Sequence, residues 1–285
     1  MRKGYTILLS LMISLLASCA TSATAPGPAS TPKPILPEVP SPDAIPYIEF
    51  LLTIVYDNNQ YNQDLVAKWG FSCLVEGLEE TILFDTGGDS DTLLYNMRQL
   101  NIEPEEVDAV VLSHIHSDHV GGLSGLLEEN SNVVVYLPQS FPESFKRDVR
   151  SAGAEVVEVS EPTELLNGVY TTGELGNGTR EQSLILVSRE GLIVITGCAH
   201  PGVVNIIRKA KDVAEEDKVH LVVGGFHLVG AATSCIQSIV GEFRQQAVQK
   251  VAPCHCSGDE ARELFRQEYG EDYIESGVGM RIAVP

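Results

Sequence analysis

The chain is poor in the residues that would place it in several common classes. It carries 19 Lys and Arg against 39 Asp and Glu, a formal charge of −20 over 285 residues. So acidic a chain repels phosphate backbones and anionic lipid at long range, which argues against nucleic acid as a partner. A small anionic substrate stays compatible if metal ions set the local field. Cysteines number six: Cys19 follows directly on a leader described below, and the five others are an odd number that builds no disulfide framework. Beyond residue 18 no segment is long and apolar enough to cross a membrane. Histidines number only seven, and three of them fall in one short stretch.

That stretch is Ser113-His114-Ile115-His116-Ser117-Asp118-His119, directly after the apolar run Val107 to Leu112. A short apolar run bounded by polar residues reads as a buried strand. The cluster therefore sits where a strand opens into a loop, the usual ligand position in an α/β sheet. His114 and His116 are two apart, so at a fraying strand end both can face one side. Asp118 and His119 can turn back toward a second point nearby. Neutral imidazole and carboxylate suit one or two divalent transition metals, zinc first, with manganese or iron as alternatives.

The chain opens on a targeting segment. Arg2 and Lys3 form a positive start and Ile7 to Leu16 an apolar core too short to span a bilayer comfortably. Leu16-Ala17-Ser18-Cys19 is similar to the lipobox of bacterial lipoproteins, which implies a signal peptide over 1–18 and a lipid anchor on Cys19. Eight of the fifteen prolines lie between Pro26 and Pro46 among Ala, Ser and Thr, so 19–46 reads as a semi-extended tether. The expected mature protein is an extracytoplasmic, membrane-anchored lipoprotein whose folded domain is 47–285.

The remaining stretch of about 240 residues fits one large α/β domain. Strand-like runs at Tyr47 to Tyr56, Phe71 to Val75 and Thr81 to Phe84 lead to Asp85-Thr86-Gly87-Gly88, an aspartate and a glycine turn. Helical spacing follows at 91–100, 121–129, 142–152, 203–214, 231–248 and 260–268. It alternates with strands at 107–112, 133–137, 155–159, 192–196, 219–223 and 250–253, with short strands expected near 273–276 and 280–284. Cys73 and Cys235 lie in apolar surroundings and read as buried. His220, inside an apolar run, reads as structural.

His-x-His-x-Asp-His after a strand is the signature of the metallo-β-lactamase superfamily, and the chain resembles its members. The resemblance implies a four-layer αββα sandwich of two mixed sheets, and it implies that Asp85 buttresses the metal histidines. Many members carry an upstream histidine and then Thr-Gly-Asp, whose aspartate bridges two metals. Here Thr196-Gly197-Cys198-Ala199-His200 stands instead, with no histidine between His119 and His200. His200 is then the expected third histidine of the first metal site, beside His114 and His116. Cys198, at the bridging position, is either a soft ligand or a small packing residue. Loss of the bridging carboxylate predicts one firm ion and a weaker second ion at Asp118 and His119.

In Pro253-Cys254-His255-Cys256 the superfamily resemblance makes His255 the last ligand of that second site. Two cysteines pointing away from it in an extended segment would compete as a Cys-x-Cys pair. His227, in Gly225-Phe226-His227-Leu228, stands where several phosphodiesterase members place a proton-donating histidine. Asp118 and His227 are thus the candidate catalytic residues. With Gly168 to Gly173 and Glu181-Gln182-Ser183-Leu184, these motifs resemble the branch that includes dihydropterin ribofuranosylaminobenzene-phosphate synthases.

The function this implies is a metal-dependent hydrolase of a small molecule. Bound metal would lower the pKa of a water toward about 7, and the resulting hydroxide would attack a phosphoryl or acyl centre. Two other readings use the same centre: a pterin-linked transferase, and a non-catalytic lipoprotein that captures metal or a small ligand.

Overall fold

The computed structural model describes residues 50–285. The leader, Cys19 and the proline-rich tether lie outside the described residues, as do Tyr47 to Glu49. The first half of the domain runs β1 (Phe50–Asp57), β2 (Phe71–Glu76), β3 (Ile82–Phe84), α1 (Ser90–Gln99), β4 (Ala109–Val111), α2 (Ser117–Val120) and α3 (Leu123–Glu129). It continues with β5 (Val134–Pro138), α4 (Glu143–Ser151) and β6 (Glu155–Val159). The second half runs β7 (Thr163–Leu166), β8 (Val169–Thr171), β9 (Leu184–Ser188), β10 (Gly191–Thr196) and α5 (Val203–Ala214). Then come β11 (Val219–Gly225), α6 (Thr233–Gln245), β12 (Val248–Cys254), α7 (Asp259–Tyr269) and β13 (Arg281–Val284).

Two sheets result, ordered β13-β1-β2-β3-β4-β5-β6 and β12-β11-β10-β9-β8-β7. Each mixes hairpin pairing with a parallel block: β3 to β6 in the first sheet, β10 to β12 in the second. Parallel neighbours need crossovers, and α1, α3, α4, α5 and α6 supply them.

Strand alternation distributes the side chains into three cores. In β10, Ile193 and Ile195 pack between the sheets, while Leu192 and Val194 face the helices. In β3 and β4, Ile82, Phe84 and Val111 point inward and Leu83 and Val110 outward. Successive residues on a strand point to opposite faces, so a strand buried on both sides must be apolar throughout. Helices α1 and α3 cover one sheet with Leu93, Met97, Leu123 and Leu126, and α5 to α7 cover the other with Ile206, Ile207, Phe243 and Phe265. The domain is the four-layer αββα sandwich expected from the sequence.

Several boundaries differ from the expected ones. The helix expected over 121–129 is α3 from Leu123, and an unexpected short helix, α2, precedes it, beginning inside the histidine cluster at Ser117 and putting Asp118 and His119 on a helical turn. Helix α6 stops at Gln245 because Ala247 turns left-handed (φ 57°), and β12 starts at Val248 rather than 250. Around Tyr273 there is only an isolated bridge to Val251 in place of a strand. Cys73 is buried, but Cys235 is exposed on α6, whose apolar face is carried by Ile236, Val240 and Phe243 instead.

Candidate metal centre

The parallel strands β3, β4, β10, β11 and β12 deliver Asp85, the 113–119 stretch, the 198–200 loop, His227 and His255 from their C-terminal ends. Open α/β sheets bind ligands at such ends. Backbone strain marks the same place. Seven described non-glycine residues have positive φ; Asn101, Glu215 and Ala247 follow helices, where such a turn is routine. The other four are Asp85, Ala199, His227 and His255, all at these strand ends. Left-handed backbone at non-glycine residues costs energy and concentrates at functional sites.

Asp85 organises the first half of the centre. Its Oδ1 accepts the Ser113 backbone N–H at 2.7 Å; its Oδ2 accepts the Ser113 hydroxyl at 2.7 Å and lies 2.7 Å from His119 Nδ1. Because Ser113 Oγ donates to Asp85, it accepts from His114 Nδ1, 2.9 Å away. Both imidazoles are thereby held in the tautomer that leaves Nε2 a bare lone pair. This arrangement requires Gly197, since a Cβ there would overlap Ser113 Oγ.

Glu181, fully buried, organises the second half. Its Oε1 accepts the N–H groups of Cys198 and Ala199 at 3.0 and 2.8 Å, and its Oε2 accepts that of His200 at 2.8 Å. Burial pushes its pKa up to about 7 despite those bonds. His255 is fixed by Asn58 Oδ1, 2.9 Å from Nδ1, and by its N–H to Asp57 Oδ2 at 3.0 Å. Trp69 donates its indole N–H to Asp118 Oδ2 at 2.9 Å and lies against the His255 ring, centroids 4.8 Å apart.

The ligand atoms of His114, His116 and His200 all lie within 4.8 Å of one another, and so do those of Asp118, His119, Cys198 and His255. Within the second group His119 Nε2 is 3.2 Å from Cys198 Sγ, and Asp118 Oδ2 is 3.3 Å from His255 Nε2 and 3.7 Å from His119 Nε2. A tetrahedral zinc ion with bonds of 2.0–2.3 Å needs ligand separations of roughly 3.3–3.6 Å. His200 Nε2 and His255 Nε2 are buried without a hydrogen-bond partner, which costs about 1–3 kcal/mol apiece unless something binds them. Burial and the neighbouring imidazoles depress the pKa of His114, and hold that of His200 at about 4, so both are neutral donors near pH 7. The residues fit a divalent metal.

All seven ligand candidates therefore converge, with Asp85 behind them. Cys198 is buried and faces His119. His227 is exposed at the rim, its ring 4.3 Å from His200, with the Cys256 thiol bonded to its side chain. His220 lies apart, bonded to Gln249 on β12 at 3.1 Å. One expectation is corrected: Cys254 does point into the core between the sheets, but Cys256 does not point away from the site. The chain turns into a 3-10 helix at His255, so alternation ends and Cys256 Sγ comes within 3.5 Å of Cys198 O. The two free thiols are neighbours there, and each shifts the other: the pKa of Cys198 is raised and that of Cys256 lowered.

Sequence reading missed Asn58, Trp69, Ser113, Glu181 and Cys256 as supports. Trp69 is the single tryptophan of the chain, a signal that was available. Ser113, Glu181 and Cys256 stand in motifs that do not show their supporting contacts, and Asn58 looks like an ordinary polar residue until the fold brings it in.

A sandwich of two mixed sheets with helices outside, and histidine, aspartate and cysteine donors gathered at the strand ends, defines a class of metal-dependent enzymes. A family model described as the metallo-β-lactamase superfamily matches residues 70–212, and the chain belongs to that superfamily. It is 31% identical over 271 residues, 78% of this chain and 92% of the relative, to a "7,8-dihydropterin-6-methyl-4-(beta-D-ribofuranosyl)-aminobenzene-5'-phosphate synthase" of Methanocaldococcus jannaschii. A ribonuclease Z of Nanoarchaeum equitans is 26% identical over 42% of this chain and 44% of its own length. Among solved structures, a metal-dependent hydrolase of the β-lactamase superfamily superposes with a TM-score of 0.70 at 28% identity, covering 82% of this chain and 99% of that one.

Proposed function

We propose that the protein is a metal-dependent hydrolase acting on a phosphoryl or acyl centre of a small molecule, tethered outside the cytoplasmic membrane through Cys19. The observation that carries the hydrolytic reading is His227. It is an exposed imidazole against His200 whose ring nitrogen lies within 4.8 Å of the ligand atoms of Cys198 and His200, yet it belongs to neither the three-histidine cluster nor the Asp118 cluster, and its place at the rim suits it to handle a proton.

His114, His116 and His200 would hold one divalent ion and Asp118, His119, Cys198 and His255 the other, with zinc the best match to these donors. Such an ion, when bound, lowers the pKa of water toward about 7 and polarises the oxygen of the scissile group. Asp85 and Ser113 keep the Nε2 atoms of His119 and His114 unprotonated and aimed inward. Asp118, held by Trp69, would orient the attacking group from its place in the second cluster. Exposed at the rim, His227 gives its proton to the leaving oxygen as negative charge gathers there.

The test is elemental analysis of the purified chain, followed by turnover of a panel of phosphodiesters, lactones and thioesters before and after chelation. Absence of transition metal, with none regained on reconstitution, sinks the reading. Tight metal with no turnover across the panel turns it into a capture lipoprotein.

One finding favours a second reading, the 31% identity to a protein named as a dihydropterin-linked synthase. In that case the same centre would serve a pterin-linked transfer, and the mature chain would reside in the cytoplasm.

A further inference from the structure

The two candidate clusters are not equally prepared for an ion. In the Asp118 cluster every side-chain donor but the thiol has an outer partner, and the thiol's backbone has one. Asp118 is held by Trp69 at 2.9 Å, His119 by Asp85 at 2.7 Å and His255 by Asn58 at 2.9 Å, while the Cys198 N–H is fixed on Glu181 at 3.0 Å. In the other cluster only the His114 side chain has such a partner, Ser113 at 2.9 Å, while the His200 N–H, like that of Cys198, is fixed on Glu181, at 2.8 Å. His116 Nδ1 bonds to another prospective ligand, His114 Nε2 at 3.1 Å, and to no outer partner. His200 Nε2 is buried without a partner, its ring set among those of His114, His116 and His227.

Burial and charge point the same way. His119, Cys198 and His255 are buried and Asp118 half-buried, whereas His116 is exposed and His200 half-buried. An exposed side chain loses rotamer freedom on binding that a buried one has already lost. The Asp118 cluster offers a carboxylate and a thiol that ionises on binding, against three neutral imidazoles. Outer partners are worth about 10–100-fold in metal affinity each.

We propose that the Asp118–His119–Cys198–His255 cluster is the tight metal site and fills first, with the His114–His116–His200 cluster the weaker, second site. This reverses the order that loss of a bridging aspartate predicts. The thiol at position 198 supplies the anionic donor in its place, and Trp69 is the positioning residue that aims Asp118. The His114 cluster offers three protein donors and would leave room for water or substrate, whereas the Asp118 cluster offers four. The proposal rests on the metal-binding reading given above.

The experiment is a Co²⁺ titration of the full chain after chelation, read by absorbance and by fluorescence of its single tryptophan, Trp69. The first equivalent is expected to bring thiolate-to-cobalt charge-transfer absorption and to quench Trp69 emission; the second should add little to either. His116→Ala should leave the first equivalent unchanged and weaken the second. Cys198→Ser should remove the charge-transfer band, and Trp69→Phe should weaken the first equivalent by about tenfold or more with the band retained. A first equivalent that leaves absorbance and emission unchanged, with both changes arriving on the second, overturns the proposed order. Failure of the wild-type chain to bind Co²⁺ or Zn²⁺ at all overturns the metal reading beneath it, and the two failures are distinct.

Discussion

Asp85 Oδ2 and His119 Nδ1 stand 2.7 Å apart with both side chains fully buried, and the same carboxylate fixes Ser113, which in turn fixes His114. One side chain thus sets the tautomers of two imidazoles in two different clusters. In Asp85→Asn, an amide whose oxygen keeps the Ser113 N–H would face His119 Nδ1 with a donor. His119 would have to carry its proton on Nε2, where the ion should bind. Metal affinity is expected to fall about 10–100-fold by calorimetry. Unchanged affinity in folded protein would remove Asp85 from this role.

For His227→Asn, kcat is expected to fall about 10²–10⁴-fold with metal content unchanged. The loss should shrink with good leaving groups such as nitrophenyl esters, which need little protonation. A depleted metal content would make His227 a ligand; a lowered melting point with kcat intact would make it structural.

Glu181→Gln leaves one carbonyl oxygen where two oxygens accept three N–H groups. The Cys198 to His200 loop should loosen, so both cobalt-binding steps weaken together rather than one alone. Selective loss of a single step would show that the carboxylate supports only one arm of the loop.

Away from the centre, Asp89 caps α1 through the Thr92 N–H and receives Tyr56 and Lys68. Burial alone would raise its pKa, but these bonds, that from Lys68 foremost, bring it below the ordinary value. A depressed carboxylate contributes stability above its unfolded pKa of about 3.9 and loses it as pH falls toward the folded value. Asp89→Ala should therefore cost about 1–2 kcal/mol in denaturant melts at pH 7. Its gap from wild type should narrow as pH drops below about 4. A gap independent of pH would mean that packing, and not the charge, carries the effect.

Cys19→Ala is expected to move the protein from the membrane fraction to the soluble fraction with activity intact. Continued sedimentation with membranes would rule out the lipid anchor.

Sequence alone determined the α/β class and where the chemistry sits, because both are local. Two-residue alternation and apolar runs specify strands, and His114, His116, Asp118 and His119 fall so close in the chain that any fold keeps them together. The superfamily signature supplied the sandwich and the assignments of Asp85, His200 and His255, which stand far apart in sequence. Only the tertiary structure decided what surrounds them. Trp69 on Asp118, Asn58 on His255 and Glu181 beneath the 198–200 loop join residues from 17 to 197 positions apart. No periodicity records such pairings, because each depends on one side chain meeting a distant partner and on no repeating pattern. The turn at His255 that swings Cys256 toward Cys198 was hidden for a related reason. It depends on a left-handed residue held by Asp57 from another strand, and an alternating pattern has no means of signalling where alternation stops.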